Sequence, residues 1–92
     1  MQSVFAKNDK DIIRVKFRTL DEIKKFVNLA EKLESDILIY SNHYVVDGRS
    51  LMGILSLSLS YPVDVRVVDD AEREVFTKQL DELGIILNND EF

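Results

Sequence analysis

Few side chains of this 92-residue chain are suited to catalysis or metal binding. The sequence holds one histidine, His43, and no cysteine. A transition-metal site needs several converging nitrogen or sulfur ligands, which one histidine cannot supply. A thiolate nucleophile is excluded, and no serine–histidine–aspartate set or phosphate-binding glycine loop stands out. We therefore predict a protein that is not an enzyme and that holds no metal or cofactor.

Two hydroxyl side chains stand where predicted helices begin. Thr19 precedes Glu22 by three residues, the spacing of a capping box, in which each side chain bonds an amide that the first turn leaves unpaired. Ser50 follows Asp47 through Arg49 and occupies the N-cap position of a second helix. His43 has no acid or base partner near it in the sequence, so we interpret it as a solvated turn residue.

The size and charge of the chain restrict its class. Ninety-two residues are enough for one domain, with a core over about 12–87 and an acidic tail at 88–92 that we expect to be mobile. The net charge of −5 and the scattered basic residues argue against nucleic-acid binding. No segment resembles a signal peptide or a membrane span. We expect a soluble, cytoplasmic protein with no membrane or nucleic-acid partner.

The spacing of apolar residues predicts the elements that position these side chains. Alternation predicts four strands, at residues 12–17, 36–41, 44–47 and 63–67. Residues 4–6 are a weaker candidate for a further strand beside the first. Helical periodicity predicts three helices, at about 20–34, 51–59 and 70–83.

Turn and breaker residues separate these elements. Asn42 and His43 supply a two-residue hairpin turn, and asparagine tolerates the left-handed conformation that such turns require. Pro62 ends the second helix and Gly84 the third, after which residues 85–87 are expected to pack back onto the domain. The element order predicts an α+β open-faced sandwich, a four-stranded, mostly antiparallel sheet with three helices on one face.

Two segments of the chain carry a family pattern. Residues 50–57 are Ser-Leu-Met-Gly-Ile-Leu-Ser-Leu, and residues 26–37 are Phe-Val-Asn-Leu-Ala-Glu-Lys-Leu-Glu-Ser-Asp-Ile. The first resembles the Ser-Ile-Met-Gly-Val-Met-Ser-Leu motif of HPr, the histidine-containing phosphocarrier of the bacterial sugar phosphotransferase system. The second resembles the end of the first helix and the start of the second strand in that family. The spacing between the segments is preserved, and the resemblance covers about residues 12–83.

The resemblance breaks at the active site of the family. HPr carries its phosphoryl group on a histidine in a Gly-x-His-Ala-Arg-Pro loop at the start of the first helix. Counted without gaps, that histidine falls on Thr19 and the arginine on Asp21. Threonine has no adjacent base here, and Asp21 repels an incoming phosphate. We therefore expect the chain to lack phosphohistidine carrier activity.

The resemblance gives Ser50 a second interpretation. In some HPr-like proteins the matching serine is phosphorylated by an ATP-dependent kinase, and a helix start stabilises the added charge. The sequence leaves both interpretations open, a cap alone or a cap that a serine kinase also modifies. The candidate residues for binding a protein partner are Arg49, Leu51, Met52 and Leu55. Core packing is the alternative, and it is favoured more for Leu55 than for Leu51 and Met52.

A different class of protein shares part of this element order. ACT and ferredoxin-like domains sense small molecules with a strand-helix-strand-strand-helix-strand arrangement. Their first strand-to-helix loop usually contains glycine, which this chain lacks, and the third helix here is additional. The leading hypothesis is a non-catalytic, regulatory HPr-like protein that binds other proteins, and the alternative is a small-molecule-sensing regulatory module.

Overall fold

The computed structural model describes residues 11–87 and contains the predicted order of strands and helices. The elements are β1 (Ile12–Val15), α1 (Leu20–Ala30), β2 (Ile37–Ser41), β3 (Tyr44–Asp47), α2 (Leu51–Leu55), β4 (Val63–Val67) and α3 (Asp70–Leu83). The strand predicted at residues 4–6 and the tail at 88–92 lie outside the described residues.

The four strands form one sheet in the order β1-β4-β2-β3, and all three pairings are antiparallel. The central strands β4 and β2 alternate buried and half-buried residues along their length. Because side chains of a strand point alternately to the two faces, one face carries the apolar row Ile13, Val65 and Ile39, which are register partners. The prediction of a mostly antiparallel sheet is confirmed.

All three helices cover that apolar face. Their fully or almost fully buried side chains share one cluster with the sheet, and they are Ile23, Phe26, Val27 and Ala30 of α1, Ile54 of α2, and Phe76 and Leu80 of α3. Each large side chain removed from water in this way stabilises the fold by about 1.5–3 kcal/mol. The open-faced α+β sandwich with helices on one side is therefore the structure of the protein.

Two helices end earlier than the sequence predicts. α1 stops at Ala30 instead of residue 34, because the next amides bond carbonyls only three residues back, Leu33 N to Ala30 O at 3.1 Å. α2 stops at Leu55 instead of residue 59, where Ser56 N is shared between two carbonyls. Leu57 then turns into the core, where it is 9% exposed.

The first strand is also shorter than predicted, and its end pairs with the C-terminal segment. β1 ends at Val15 instead of residue 17, and Val15 forms an antiparallel bridge with Ile86. Lys16 N donates to Ile85 O at 2.9 Å, and Leu87 N donates to Arg14 O at 2.9 Å. The predicted return of residues 85–87 onto the domain is confirmed.

Gly48 marks the point where the chain leaves β3 and passes closest to β2. A Cβ placed on Gly48 would overlap Ile37 Cγ2 and lie 3.2 Å from Ile37 O. Ile37 is 1% exposed, so its side chain has no room to move aside. Any larger residue at position 48 therefore forces the start of α2 away from the sheet.

We expect Gly48→Ala to lower the free energy of unfolding by about 1–3 kcal/mol, the usual effect of overpacking a filled core. Urea denaturation of the purified protein measures this change. Ser58→Ala, a substitution at an exposed position, is the matched control and should leave the unfolding midpoint unchanged. A Gly48→Ala protein as stable as the parent would contradict the close approach.

Candidate functional site

The start of α1 is closed by the chain's own side chains. Thr19 is the N-cap, and its Oγ1 accepts a hydrogen bond from Glu22 N at 3.1 Å. The Glu22 carboxylate in turn accepts from Arg18 N at 2.8 Å. The predicted capping arrangement is confirmed, with the difference that the glutamate bonds the amide one residue before the cap.

The Arg18 guanidinium joins this arrangement to the end of α3. Its Nη2 donates to Glu22 Oε2 at 3.1 Å and to Gly84 O at 2.9 Å. Gly84 has φ of 76°, the left-handed value that favours glycine, and ends α3 as predicted. The cation therefore holds two helix ends together beside Thr19.

The carboxyl group of Glu22 has a pKa below its ordinary value. Burial acts to raise this pKa, but hydrogen bonds from the Arg18 amide and guanidinium, the Arg18 charge and the Thr19 amide together outweigh burial. Asp21 is exposed and pairs with Lys25 at 3.1 Å. The first turn of α1 thus presents two carboxylates, which disfavour a bound phosphate.

Ser50 caps α2 as the sequence predicts. Its Oγ accepts from Gly53 N at 2.9 Å, and the residue is half-buried. A Cβ on Gly53 would lie 3.0 Å from Ser50 Oγ and 3.3 Å from Val46 Cβ. Gly53 therefore leaves room both for the cap and for the contact between α2 and β3.

Arg49 points into the fold, which the sequence did not predict. One guanidinium nitrogen, Nη2, donates to Leu33 O and to Ser35 O, each at 2.6 Å. Its backbone N donates to Asp47 Oδ1 at 2.8 Å. The side chain thereby ties the start of α2 to the loop after α1. No sequence pattern signals such a bond, because both acceptors of the guanidinium are backbone carbonyls.

Three apolar side chains, one at the start of α1 and two on α2, face solvent, and we call them the docking patch. Met52 is 76% exposed, Leu20 50% and Leu55 43%. Leu51 instead packs partly against the core. The sequence-based ranking, in which Leu55 was the more probable core residue and Leu51 the more accessible one, is wrong for these two leucines. A five-residue helix has little more than one turn, which leaves its apolar periodicity too short to rank the faces.

A groove brings Thr19 and Leu55 together. It has a volume of about 560 Å³, and its lining residues are Lys16, Phe17, Arg18, Thr19, Leu20, Ile23, Leu55, Leu59 and Ser60. Lys16 Nζ donates to Leu59 O at 3.0 Å and to Ser60 O at 2.9 Å, which fixes the segment after α2 against the end of β1. Sequence analysis missed Lys16, Leu20 and Leu59, since only contact between distant segments identifies them.

The remaining sequence-derived features lie elsewhere. His43 is exposed in the turn between β2 and β3, next to Asn42, whose φ of 54° is left-handed as predicted. Within residues 11–87, no group of three or more acidic, histidine or cysteine side chains is placed to hold a metal ion. The same part of the chain contains no helix with the length and apolar character of a membrane span.

We expect Glu22→Gln to remove stability mainly at neutral pH. The folded pKa of Glu22 lies below its unfolded value of about 4.3, so the ionised form stabilises the fold above that pH, and this contribution is lost as pH falls through the folded pKa. Chemical denaturation at a series of pH values should show parent and variant converging in acid. Glu31→Gln, on an exposed residue, is the control. A difference independent of pH would contradict the assignment.

Comparison with known proteins agrees with this architecture. The family described as the phosphorylation site of the HPr component of the phosphotransferase system matches residues 21–87, beginning two residues after Thr19. A crystal structure of HPr-C-His from Thermoanaerobacter tengcongensis has 32% sequence identity and a TM-score of 0.63, covering 78% of this chain and 85% of that chain. No curated protein gives a significant match. The shared fold is that of HPr and not of the ACT or ferredoxin-like alternative. The chain therefore belongs to the HPr family of phosphotransferase-system phosphocarriers.

Proposed function

We propose that this HPr-family protein acts by binding other proteins and carries no phosphoryl group on a histidine at the start of α1. The observation that carries the proposal is the docking patch: Leu20 and Leu55 line one groove, and Met52, three residues before Leu55 on α2, is 76% exposed. Apolar side chains grouped on the surface of a small protein are typical of interaction sites. Methionine is common at such sites because its flexible side chain adapts to a partner.

The chemistry of the α1 start supports the negative half of the proposal. Phosphoryl transfer through a side chain needs a nucleophile activated by a base or already deprotonated. Thr19 Oγ1 accepts a hydrogen bond from the Glu22 amide. The groove beside it contains no histidine among its lining residues. The carboxylates of Glu22 and Asp21 disfavour the approach of a phosphate. Thr19 is thus suited to capping a helix and not to carrying a phosphoryl group.

The position of Ser50 supports a switch by phosphorylation in the same proposal. Ser50 precedes Leu51 and Met52 directly, so a phosphate on its Oγ places about two negative charges next to the docking patch. Its Oγ already accepts the Gly53 amide, a bond that a phosphate oxygen would continue to make. A serine kinase is the partner that this switch requires. The alternative is that Ser50 only caps α2.

Arg49 contributes to this surface by positioning it. Because its guanidinium is bonded to Leu33 O and Ser35 O, the side chain holds the first residue of α2 at a fixed distance from the loop after α1. Loss of that bond frees the short helix, which has few contacts of its own. We assign Arg49 as a positioning residue for the docking patch.

Intact-mass analysis of the phosphorylated protein tests both halves of the proposal. Incubation with enzyme I and phosphoenolpyruvate should add no phosphoryl group, while a histidine-containing HPr in the same tube is modified. Incubation with ATP and an HPr serine kinase should add one group that Ser50→Ala abolishes and that the neighbouring control Ser56→Ala retains. Phosphoryl transfer from enzyme I would overturn the absence of carrier activity, and no gain with the kinase would leave Ser50 as a cap alone.

Substitution in the docking patch tests the binding surface. Met52→Lys should reduce recovery of a specific protein partner from an extract of the source cells by at least about tenfold, because a central apolar contact is replaced by a charge. Val75→Lys is the matched control, since Val75 is similarly apolar and 53% exposed but lies on α3. Circular dichroism confirms that both variants are folded. Equal recovery by the two variants would show that partners use another surface.

A further inference from the structure

The groove beside Thr19 has the features of a ligand site in its own right. Its volume of about 560 Å³ falls within the range of small-molecule sites, roughly 300–1,000 Å³. Its apolar wall is formed by Leu20, Ile23 and Leu55, and two cations, Lys16 and Arg18, stand among its lining residues. An apolar wall beside a fixed cation is suited to a molecule that has an apolar body and an anionic end.

The ammonium group of Lys16 is held in place and keeps a donor to spare. Its Nζ donates to Leu59 O at 3.0 Å and to Ser60 O at 2.9 Å. An ammonium has three N–H donors, so one has no partner among the described residues. Within residues 11–87, the Arg18 guanidinium bonds Glu22 and Gly84 through Nη2, and its other nitrogens have no partner there.

The charged side chains around the groove favour a ligand with one negative charge over a ligand with two. The Glu22 carboxylate is bonded to Arg18 and offsets part of its positive charge, and Asp21 is exposed in the same helical turn. Neither carboxylate lines the groove, but both belong to the helical turn beside it and repel a doubly charged phosphate more than a monoanion, which requires only one charge-assisted bond. The spare Lys16 donor matches one carboxylate oxygen.

We propose that the groove between the start of α1 and the segment after α2 binds a small organic monocarboxylate. The carboxylate bonds the free N–H of Lys16, and the apolar body of the ligand lies over Leu20, Ile23 and Leu55. This inference rests on the groove and on Lys16, and not on Met52 or Ser50, but the groove shares Leu20 and Leu55 with the docking patch. A ligand that covers Leu20 and Leu55 would also compete with a protein at the docking patch.

A titration of the intact protein with phenylacetate, monitored by two-dimensional amide NMR, tests the site. Saturable shifts are expected at Arg18, Thr19, Leu20, Leu59 and Ser60. Phenylacetamide has the same apolar body without the charge and should bind about tenfold more weakly, because a charge-assisted bond is lost. Inorganic phosphate should give no saturable shift at these residues.

Lys16→Gln should weaken phenylacetate binding about tenfold, and Lys24→Gln, which alters an exposed lysine of α1 outside the groove, should not. If Lys16→Gln fails to fold, the comparison of phenylacetate with phenylacetamide on the parent protein decides the question. Equal affinity for the acid and the amide, saturable shifts confined to another surface, or no saturable shift would each overturn the proposal. Failure here leaves the partner-recovery test of Met52→Lys unaffected, so the two hypotheses are separable.

Discussion

The contact of Phe26 with two other rings is the constraint on which the arrangement of helices depends. Phe26 is fully buried, and its ring meets those of Phe17 and Phe76 at a centroid distance of 5.3 Å in each pair, in edge-on geometry. Such pairs contribute about 0.5–1.5 kcal/mol each beyond area burial. The three rings join the segment after β1 to α1 and α3. Because Phe17 lies two residues before Thr19, the same contact fixes the start of α1.

Hydrogen bonds from polar side chains hold loops that the small apolar core does not fix. Lys16, Arg49 and Glu72 each bond two backbone groups of a loop, and the Glu72 carboxylate accepts from Glu34 N at 3.1 Å and from Ser35 N at 2.8 Å. These bonds satisfy loop groups that secondary structure leaves unpaired. The consequence is greatest for α2, whose five residues are too few for a stable isolated helix. Its position depends on Arg49 before it and on the Lys16 contact after it.

The start of α1 combines a polar cap with an apolar surface. Thr19 caps the first turn by accepting from Glu22 N, the Glu22 carboxylate accepts from Arg18 N, and Asp21 adds a second carboxylate to the same turn. The surface that remains is apolar, with Leu20 and Leu55 meeting at the groove. The two carboxylates of this turn therefore disfavour phosphate, and the apolar side chains beside them favour contact with apolar molecules. The proposed protein-binding patch and the proposed carboxylate site both include Leu20 and Leu55.

Strands and helix ends that depend on a few neighbouring residues could be predicted from the sequence alone. The alternation of residues 63–67 predicted β4, and Thr19, Ser50 and Gly84 marked helix ends, because strand faces and caps depend on neighbouring residues. Residues 31–34 and 56–59 contain no glycine or proline, so the early ends of α1 and α2 had no local signal. Only the tertiary structure directed Arg49 inward and brought Lys16 and Leu20 beside Leu55. Contacts between segments distant in the chain arise from packing, which local periodicity does not encode.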